Sequence, residues 1–137
     1  MLDKTSDIAI AAESWLAEFE SALATLDDGT LKKLFHPDSH WRDALALSWT
    51  LQTIDGRDAI LSTLKAQAAQ AMPTSFAVDP DRRAPRKVMR ACTDCIEAIF
   101  KFETAVGRGD GILRLIPDEA DGNKPKAWTL LTALQEL

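Results

Sequence analysis

The sequence of 137 residues contains no tyrosine, only two cysteines and two histidines, and no long uninterrupted apolar run. A membrane-spanning helix needs roughly 20 consecutive apolar residues, so we expect no membrane partner. Excess positive charge is also missing, because 21 acidic residues outnumber 16 basic ones and leave a formal net charge of −5. Sequence-independent nucleic-acid binding depends on a basic surface, so we expect no nucleic-acid partner.

The N-terminal segment lacks the continuous apolar core of an export signal, because Asp3, Asp7 and Glu13 interrupt it. We therefore predict a cytoplasmic protein whose two cysteines are reduced thiols. Cys92 and Cys95 are spaced as CxxC, but both histidines lie more than fifty residues away, and a structural zinc site needs four ligands. We interpret the two cysteines as packing thiols.

Apolar residues recur at helical spacing in the first part of the chain. This pattern predicts one long helix with a single buried face, formed by Ile8, Ala11, Ala12, Trp15, Leu16, Phe19, Leu23 and Leu26. The run Asp27-Asp28-Gly29-Thr30 ends that helix, and a second short helix, LKKLF, is expected to stop before Pro37. A third helix is predicted from Arg57 to Ala71.

Elsewhere the chain shows the alternation typical of strands. In SHWRDAL, one predicted face carries Ser39, Trp41, Asp43 and Leu45, and the other carries His40, Arg42 and Ala44. The remaining predicted strands are LSWTLQTI, TSFAV, RKVMRACTDCIEAIFKFET, GILRLIP and KAWTLLTALQEL. We expect an exposed loop at DPDRRAPRK, and hairpin turns at Gly107, Gly109 and Gly111 and at Asp121-Gly122-Asn123.

Helices followed by antiparallel strands predict an α+β fold, with helices on one face of a strongly curved sheet. Such a sheet forms a cone, and the mouth of a cone is a natural small-molecule cavity. With no repeat and no second set of elements, residues 1–137 are predicted to form one domain. The side chains expected to line the cavity are Trp15, Phe19, His40, Trp41, Trp49, Phe100, Phe102 and Trp128. Trp49 and Trp128 suit the core or an interface as well.

The order of elements, the LF pair closing the second helix, and the tryptophan and aspartate on the first strand resemble the nuclear transport factor 2-like (SnoaL-like, cystatin-like) superfamily. The strings LFHPDSHWRDALALSWTLQTIDGRDAI and GILRLIP…KAWTLLTALQEL look like the domain that precedes the FAD-binding part of certain flavin-containing monooxygenases. This resemblance implies a small-molecule-binding or association domain without catalysis of its own. It also implies a homodimer formed through the open face of the sheet.

The chain itself offers no dinucleotide-binding unit. GRGDG has the wrong spacing for the GxGxxG motif and lies in a predicted hairpin. The chain ends at Leu137, where the dinucleotide-binding unit of those monooxygenases would begin. We therefore expect no cofactor in this chain, which is either a free-standing relative or a fragment of a longer flavoprotein.

Asp43 is the candidate catalytic residue, because the isomerase and dehydratase members of the resembled superfamily use an aspartate near this place as a base. Apolar neighbours disfavour a charged carboxylate and suit it to base catalysis near neutral pH. The alternative function is thus a cofactor-independent dehydratase, isomerase or hydrolase, with His40 or Trp41 positioning the substrate. Asp43 equally suits a structural role, paired with Arg42 or Arg57 or hydrogen-bonded to a backbone turn.

The absence of tyrosine weighs against an isomerase-type site. The isomerases stabilise an enolate with a tyrosine on the first helix, where this chain has Trp15 and Phe19. An indole N–H or a protonated acid would have to replace that hydroxyl.

Two other polar groups have alternative interpretations. A metal ion between the histidines and Asp38 or Asp43 is disfavoured, because Pro37 prevents a helical pairing and His40 and Asp43 face opposite ways, so we predict no metal. A basic group either steers an anionic ligand or is a solvated loop, and its members are Arg82, Arg83, Arg86 and Lys87.

Overall fold

The computed structural model describes residues 4–48 and 50–136, with side chains from residue 7 onward. The elements follow the order α1 (Lys4–Thr25), α2 (Asp28–Leu34), β1 (Phe35–Ala44), β2 (Leu51–Asp55), α3 (Arg57–Ala71), β3 (Thr74–Val78), β4 (Arg86–Arg90), β5 (Thr93–Glu103), β6 (Arg108–Asp118) and β7 (Lys124–Glu136). A short 3₁₀ turn, Glu119–Asp121, joins the last two strands. The α+β class and the bounds predicted for the third helix are confirmed.

The strands form one sheet in the order β2-β1-β7-β6-β5-β3, with β4 also paired to β5. β1 and β7 run parallel, and the other pairs are antiparallel. β4 pairs with the first half of β5 and β3 with the second half, so both lie along the same edge. The helices pack on one side of this sheet, which we call the inner face, and the opposite side is the open face.

Two glycines on β6 let aromatic rings lie flat against the sheet. Phe100 pairs with Gly111 and Phe102 with Gly109 across β5 and β6. A Cβ atom at Gly111 would lie 2.6 Å from the Phe100 ring, and one at Gly109 would lie 2.5 Å from the Phe102 ring. Both glycines therefore belong to a strand, and the prediction that they form the turn was wrong. The turn lies at Thr104–Gly107, where Thr104 N donates to the Gly107 carbonyl at 2.7 Å.

The space between α1 and the inner face is filled by a connected cluster of aromatic rings. Neighbouring ring centroids are 4.7–6.0 Å apart, and each side chain is at most 7% exposed. Each such ring buries roughly 150–250 Å². The members of this aromatic cluster are Trp15, Phe19, Phe35, Phe76, Phe100 and Phe102. The cone is therefore filled by its own side chains.

The helix-to-strand boundary at Pro37 differs from the prediction. α2 ends at Leu34 and β1 begins at Phe35, so His36 and Pro37 lie on β1 and not at the end of a helix. The register between β1 and β7 shifts between Phe35 and His40. Proline is tolerated at such an irregularity because its missing N–H interrupts no regular ladder.

Two predicted strand assignments also need correction. β1 ends at Ala44, and Leu45 has a φ of 63° and is 50% exposed, so it does not share the buried face of Trp41. The long strand predicted over RKVMRACTDCIEAIFKFET is a hairpin, β4 and β5. Its turn residues Ala91 and Cys92 have φ of 48° and 62°, as tight hairpin turns require.

Candidate functional site

The alternation predicted for β1 is confirmed and sorts its polar residues onto two faces. Trp41 and Asp43 are 0% exposed on the inner face, whereas His40 and Arg42 lie on the open face. The histidine and the aspartate of the predicted site therefore lie on opposite sides of the sheet.

Asp43 is enclosed by hydrogen-bond donors. Its carboxylate accepts from the backbone N–H of Leu47 at 3.1 Å and of Ser48 at 2.8 Å. The Ser48 hydroxyl donates at 2.6 Å and the Thr132 hydroxyl at 2.5 Å. Trp41 Nε1 in turn donates to Thr132 Oγ1 at 2.9 Å. The two carboxylate oxygens therefore accept from two backbone N–H groups and two hydroxyl groups.

This arrangement fixes the segment that follows β1. The carboxylate of Asp43 holds the backbone at Leu47 and Ser48, and Leu45 N donates to the Thr50 carbonyl at 3.0 Å. Leu47 is thereby placed in the core with 0% exposure. A base must come within hydrogen-bond reach of the substrate proton, and here the oxygens already contact protein donors. The geometry is that of a loop anchor, and catalysis by Asp43 stays a prediction.

A groove lies on the open face, across β2, β1, β7 and β6. It has a volume of about 250 Å³ and is lined by His40, Trp41, Arg42, Thr53, Ile112, Arg114, Thr129, Leu130 and Leu131. We call it the open-face groove. His40 and Trp41 were predicted as lining residues of a cavity inside the cone. The side chain of His40 instead lies in the groove on the open face, and that of Trp41 is buried in the core on the inner face.

Several arginines converge on one carboxylate at the end of this groove. Arg114 Nε donates to Glu97 at 2.8 Å, and Arg90 donates from two nitrogens at 3.1 and 3.2 Å. Arg86 lies 3.6 Å from the same carboxylate. Burial alone would raise the pKa of Glu97, but hydrogen bonds from Arg114 and Arg90 outweigh it and hold that pKa below its ordinary value. The single carboxylate of Glu97 therefore lies beside three guanidinium groups, so positive charge is in excess here.

No protein-family model and no curated protein matches this chain. A nuclear transport factor 2-like protein of unknown function from Silicibacter pomeroyi is 15% identical with a TM-score of 0.65, covering 98% of this chain and 100% of its own. A nuclear transport factor 2-like superfamily protein from Salmonella enterica serovar Typhimurium is 11% identical with a TM-score of 0.64, covering 95% and 92%.

The chain has the nuclear transport factor 2-like fold. A further match, a Bacillus subtilis protein named as a candidate isomerase, is 16% identical with a TM-score of 0.58, covering 97% of this chain and 90% of its own. Identities this low establish a fold and not an activity, because one fold hosts many functions.

The other aromatic candidates have different places in this nuclear transport factor 2-like fold. Trp15, Phe19 and Phe100 belong to the aromatic cluster, and Trp15 Nε1 donates to the Leu34 carbonyl at 2.8 Å. Phe102 also belongs to it and reaches a shallow depression beside Arg108. Trp128 is half-buried on β7, beside a register irregularity. Trp49 lies outside the described residues.

The remaining polar candidates do not form a common site. The basic residues are dispersed: Arg82 lies 3.6 Å from Asp110, and Arg86 belongs to the Glu97 group. Across residues 4–48 and 50–136, no three His, Cys, Asp or Glu side chains are grouped closely enough to hold a metal ion. In the same ranges no helix is long and apolar enough to cross a membrane.

The sequence did not predict that Arg42 and Arg114 line the same groove. Arg42 was placed on the correct face of β1, but Arg114 was not singled out. The signal that would find them is the alternation on β6 and β7, which puts Ile112, Arg114, Thr129 and Leu131 on the open face together.

Proposed function

We propose that the chain is a small-molecule-binding or association domain that acts through its open face and has no catalytic activity of its own. One observation carries this proposal. A groove on the open face is lined by two arginines that keep free donors, whereas the interior of the cone is packed with aromatic rings and the carboxylate of Asp43 is hydrogen-bonded to protein donors.

The association partner that we propose is a second copy of the chain. Apolar side chains form a stripe across the middle of the open face, with paired positions on three adjacent strands: Ile99, Ile112 and Leu131. These side chains are half-buried in the isolated chain, so a flat partner surface would remove the remaining apolar area from water. We propose a cytoplasmic homodimer with this stripe at its centre.

We further propose that the chain is related to the N-terminal module of flavin-containing monooxygenases. The support is the pair of long strings that resemble such a module. The chain is proposed to hold no flavin itself, and the FAD-binding unit would then be supplied by other sequence. A reading frame or neighbouring gene encoding a glycine-rich strand–turn–helix would support the relationship, and its absence would count against it.

The alternative, a cofactor-independent enzyme with Asp43 as base, has weaker support. A substrate would have to displace Ser48 or Thr132 from the carboxylate and enter a space occupied by aromatic rings. The position of Asp43 on β1 is the observation in its favour.

Sedimentation analysis tests the association proposal directly. At micromolar concentration the protein is expected to sediment with the mass of two chains, and Leu131→Asp with the mass of one. Ile10→Asp is the matched control, because Ile10 is 47% exposed on α1, the helical side. A wild-type mass of one chain, or a dimer unaffected by Leu131→Asp, would contradict association through the open face.

A further inference from the structure

We propose that the open-face groove binds a small amphiphilic anion, a carboxylate with an apolar chain, whose head is held by Arg42 and Arg114. This inference rests on the proposed small-molecule-binding function and names the chemical class of the ligand.

The strand register places the two arginines on opposite corners of the groove. His40, Thr129 and Arg114 form one row across β1, β7 and β6, and Arg42, Leu131 and Ile112 form the next. Arg42 and Arg114 are thus two strands and two residues apart, a diagonal of roughly 12 Å between Cα atoms. Both side chains line the groove, so a ligand above β7 lies between them.

Both guanidinium groups retain free donors. Arg42 donates to Thr53 Oγ1 at 3.2 Å, and among the described residues no carboxylate lies within ion-pair distance of it. Arg114 uses Nε for Glu97, and its two terminal nitrogens donate to no described residue. A guanidinium carries five N–H donors in a planar fork that matches a carboxylate. The Glu97 contact holds Arg114 in place without occupying that fork.

The charge around the groove favours an anion. Three guanidinium groups surround the single carboxylate of Glu97, on a chain whose overall charge is −5. His40 at the opposite end lies beside two carboxylates, with Asp55 at 2.7 Å and Asp38 at 3.3 Å from its ring nitrogens. Those aspartates lie toward the β2 edge, so the head of an anion is better placed above β7, between Arg42 and Arg114.

The floor of the groove is apolar, which is why we propose that the ligand carries an apolar chain. Leu131 is paired with Arg42 on one side and with Ile112 on the other, so these two half-buried apolar side chains form the floor of the groove on the open face. Thr129 offers a hydroxyl beneath the head, and that hydroxyl bonds no other described group. A bare inorganic anion would leave this apolar floor in water, whereas an alkyl chain would cover it.

The test compares octanoate with 1-octanol, which has the same chain length and no charge, by isothermal titration of the full chain. Charge-assisted hydrogen bonds contribute about 1.5–3 kcal/mol, so octanoate is expected to bind at least tenfold more tightly than octanol. Arg42→Met should remove most of that preference, and octanol should bind this variant as it binds the wild type. Lys33→Met, an exposed cation on α2, should leave both affinities unchanged.

Arg42→Met is the decisive variant, because Arg42 makes no ion pair with the described residues and its loss leaves Glu97 fully paired. Arg114→Met is the second variant, and thermal melting of both confirms that they fold. Equal affinity for octanoate and octanol, absence of octanoate binding at millimolar concentration, or unchanged octanoate affinity in Arg42→Met would overturn the proposal.

Sedimentation of the same samples separates the two proposals: a dimer without octanoate affinity refutes the anion site alone, and a monomer that binds octanoate refutes association alone.

Discussion

Thr132 on β7 donates a hydrogen bond of 2.5 Å to Asp43 on β1, although the two residues are 89 positions apart in sequence. β1 and β7 are the parallel pair of the sheet, so this bond ties the first strand to the last. The same carboxylate holds the loop after β1. Asp43 therefore holds parts of the fold together, and we expect its substitution to lower the free energy of unfolding.

Asp43→Asn is expected to lower the free energy of unfolding by about 2–4 kcal/mol, because an amide NH₂ would face donors that need an acceptor. Urea denaturation measures this change. Asp7→Asn, on an exposed site of α1, serves as the control and should stay within about 0.5 kcal/mol of the wild type. Wild-type stability in Asp43→Asn would show that the hydrogen-bond network is not an anchor.

Gly111→Ala is expected to destabilise the protein by about 3 kcal/mol, because the new methyl group would overlap both the backbone carbonyl oxygen of Leu131 and the Phe100 ring. Thermal denaturation is the measurement. Gly29→Ala is the matched control, since Gly29 is exposed near the start of α2 and the nearest atom to its Cβ, Asp27 Oδ1, would be 3.8 Å away. Alanine there should stabilise by about 0.5–1 kcal/mol. A tolerated Gly111→Ala would contradict the close approach of ring and strand.

Lowering the pH should weaken the fold through Glu97. Its pKa in the folded protein lies below the ordinary value of 4.5, because hydrogen bonds from Arg114 and Arg90 outweigh the effect of burial. Its stabilising contribution is complete above pH 4.5 and is lost as the pH falls through the folded-state pKa. Glu97→Gln should therefore be less stable at pH 7 and show a shallower loss of unfolding free energy below pH 4.5. The exposed Glu13→Gln variant should keep the wild-type slope, and identical slopes in all three proteins would refute this role.

The two cysteines should differ in reactivity. Cys92 is exposed at the turn between β4 and β5, whereas Cys95 is 3% exposed and burial raises the pKa of its thiol. The thiolate is the reactive form, so N-ethylmaleimide should modify Cys92 in the folded protein and Cys95 only after unfolding. Peptide mass mapping distinguishes the two sites. Equal rates of modification in the folded state would contradict the placement of Cys95.

The helices and the faces of β1 could be predicted because hydrophobic periodicity records burial directly. The turn at Ala91 and Cys92 could not, since both residues adopt left-handed φ without glycine or asparagine to signal it. The start of β1 was missed because Pro37 is a frequent helix stop, whereas here it lies at a register irregularity of a strand.

The content of the cone was also beyond prediction from sequence. Trp15, Phe19 and Phe100 are typical pocket-lining residues, and whether such rings surround a space or fill it depends on their mutual stacking. The structural role of Asp43 could not be predicted from the sequence either. Its donors at Leu47 and Ser48 are backbone groups whose positions exist only once the loop is folded.

The central claim is that this protein makes its contacts through the open face and not through the interior of the cone. Methyl NMR spectra recorded during titration with octanoate, and over a dilution series, test it most directly. The methyl resonances of Ile112 and Leu131 on the open face are expected to shift, and those of Leu16 and Ile60 in the core to stay in place. Shifts confined to Leu16 and Ile60 would contradict the claim and direct attention back to a site inside the cone.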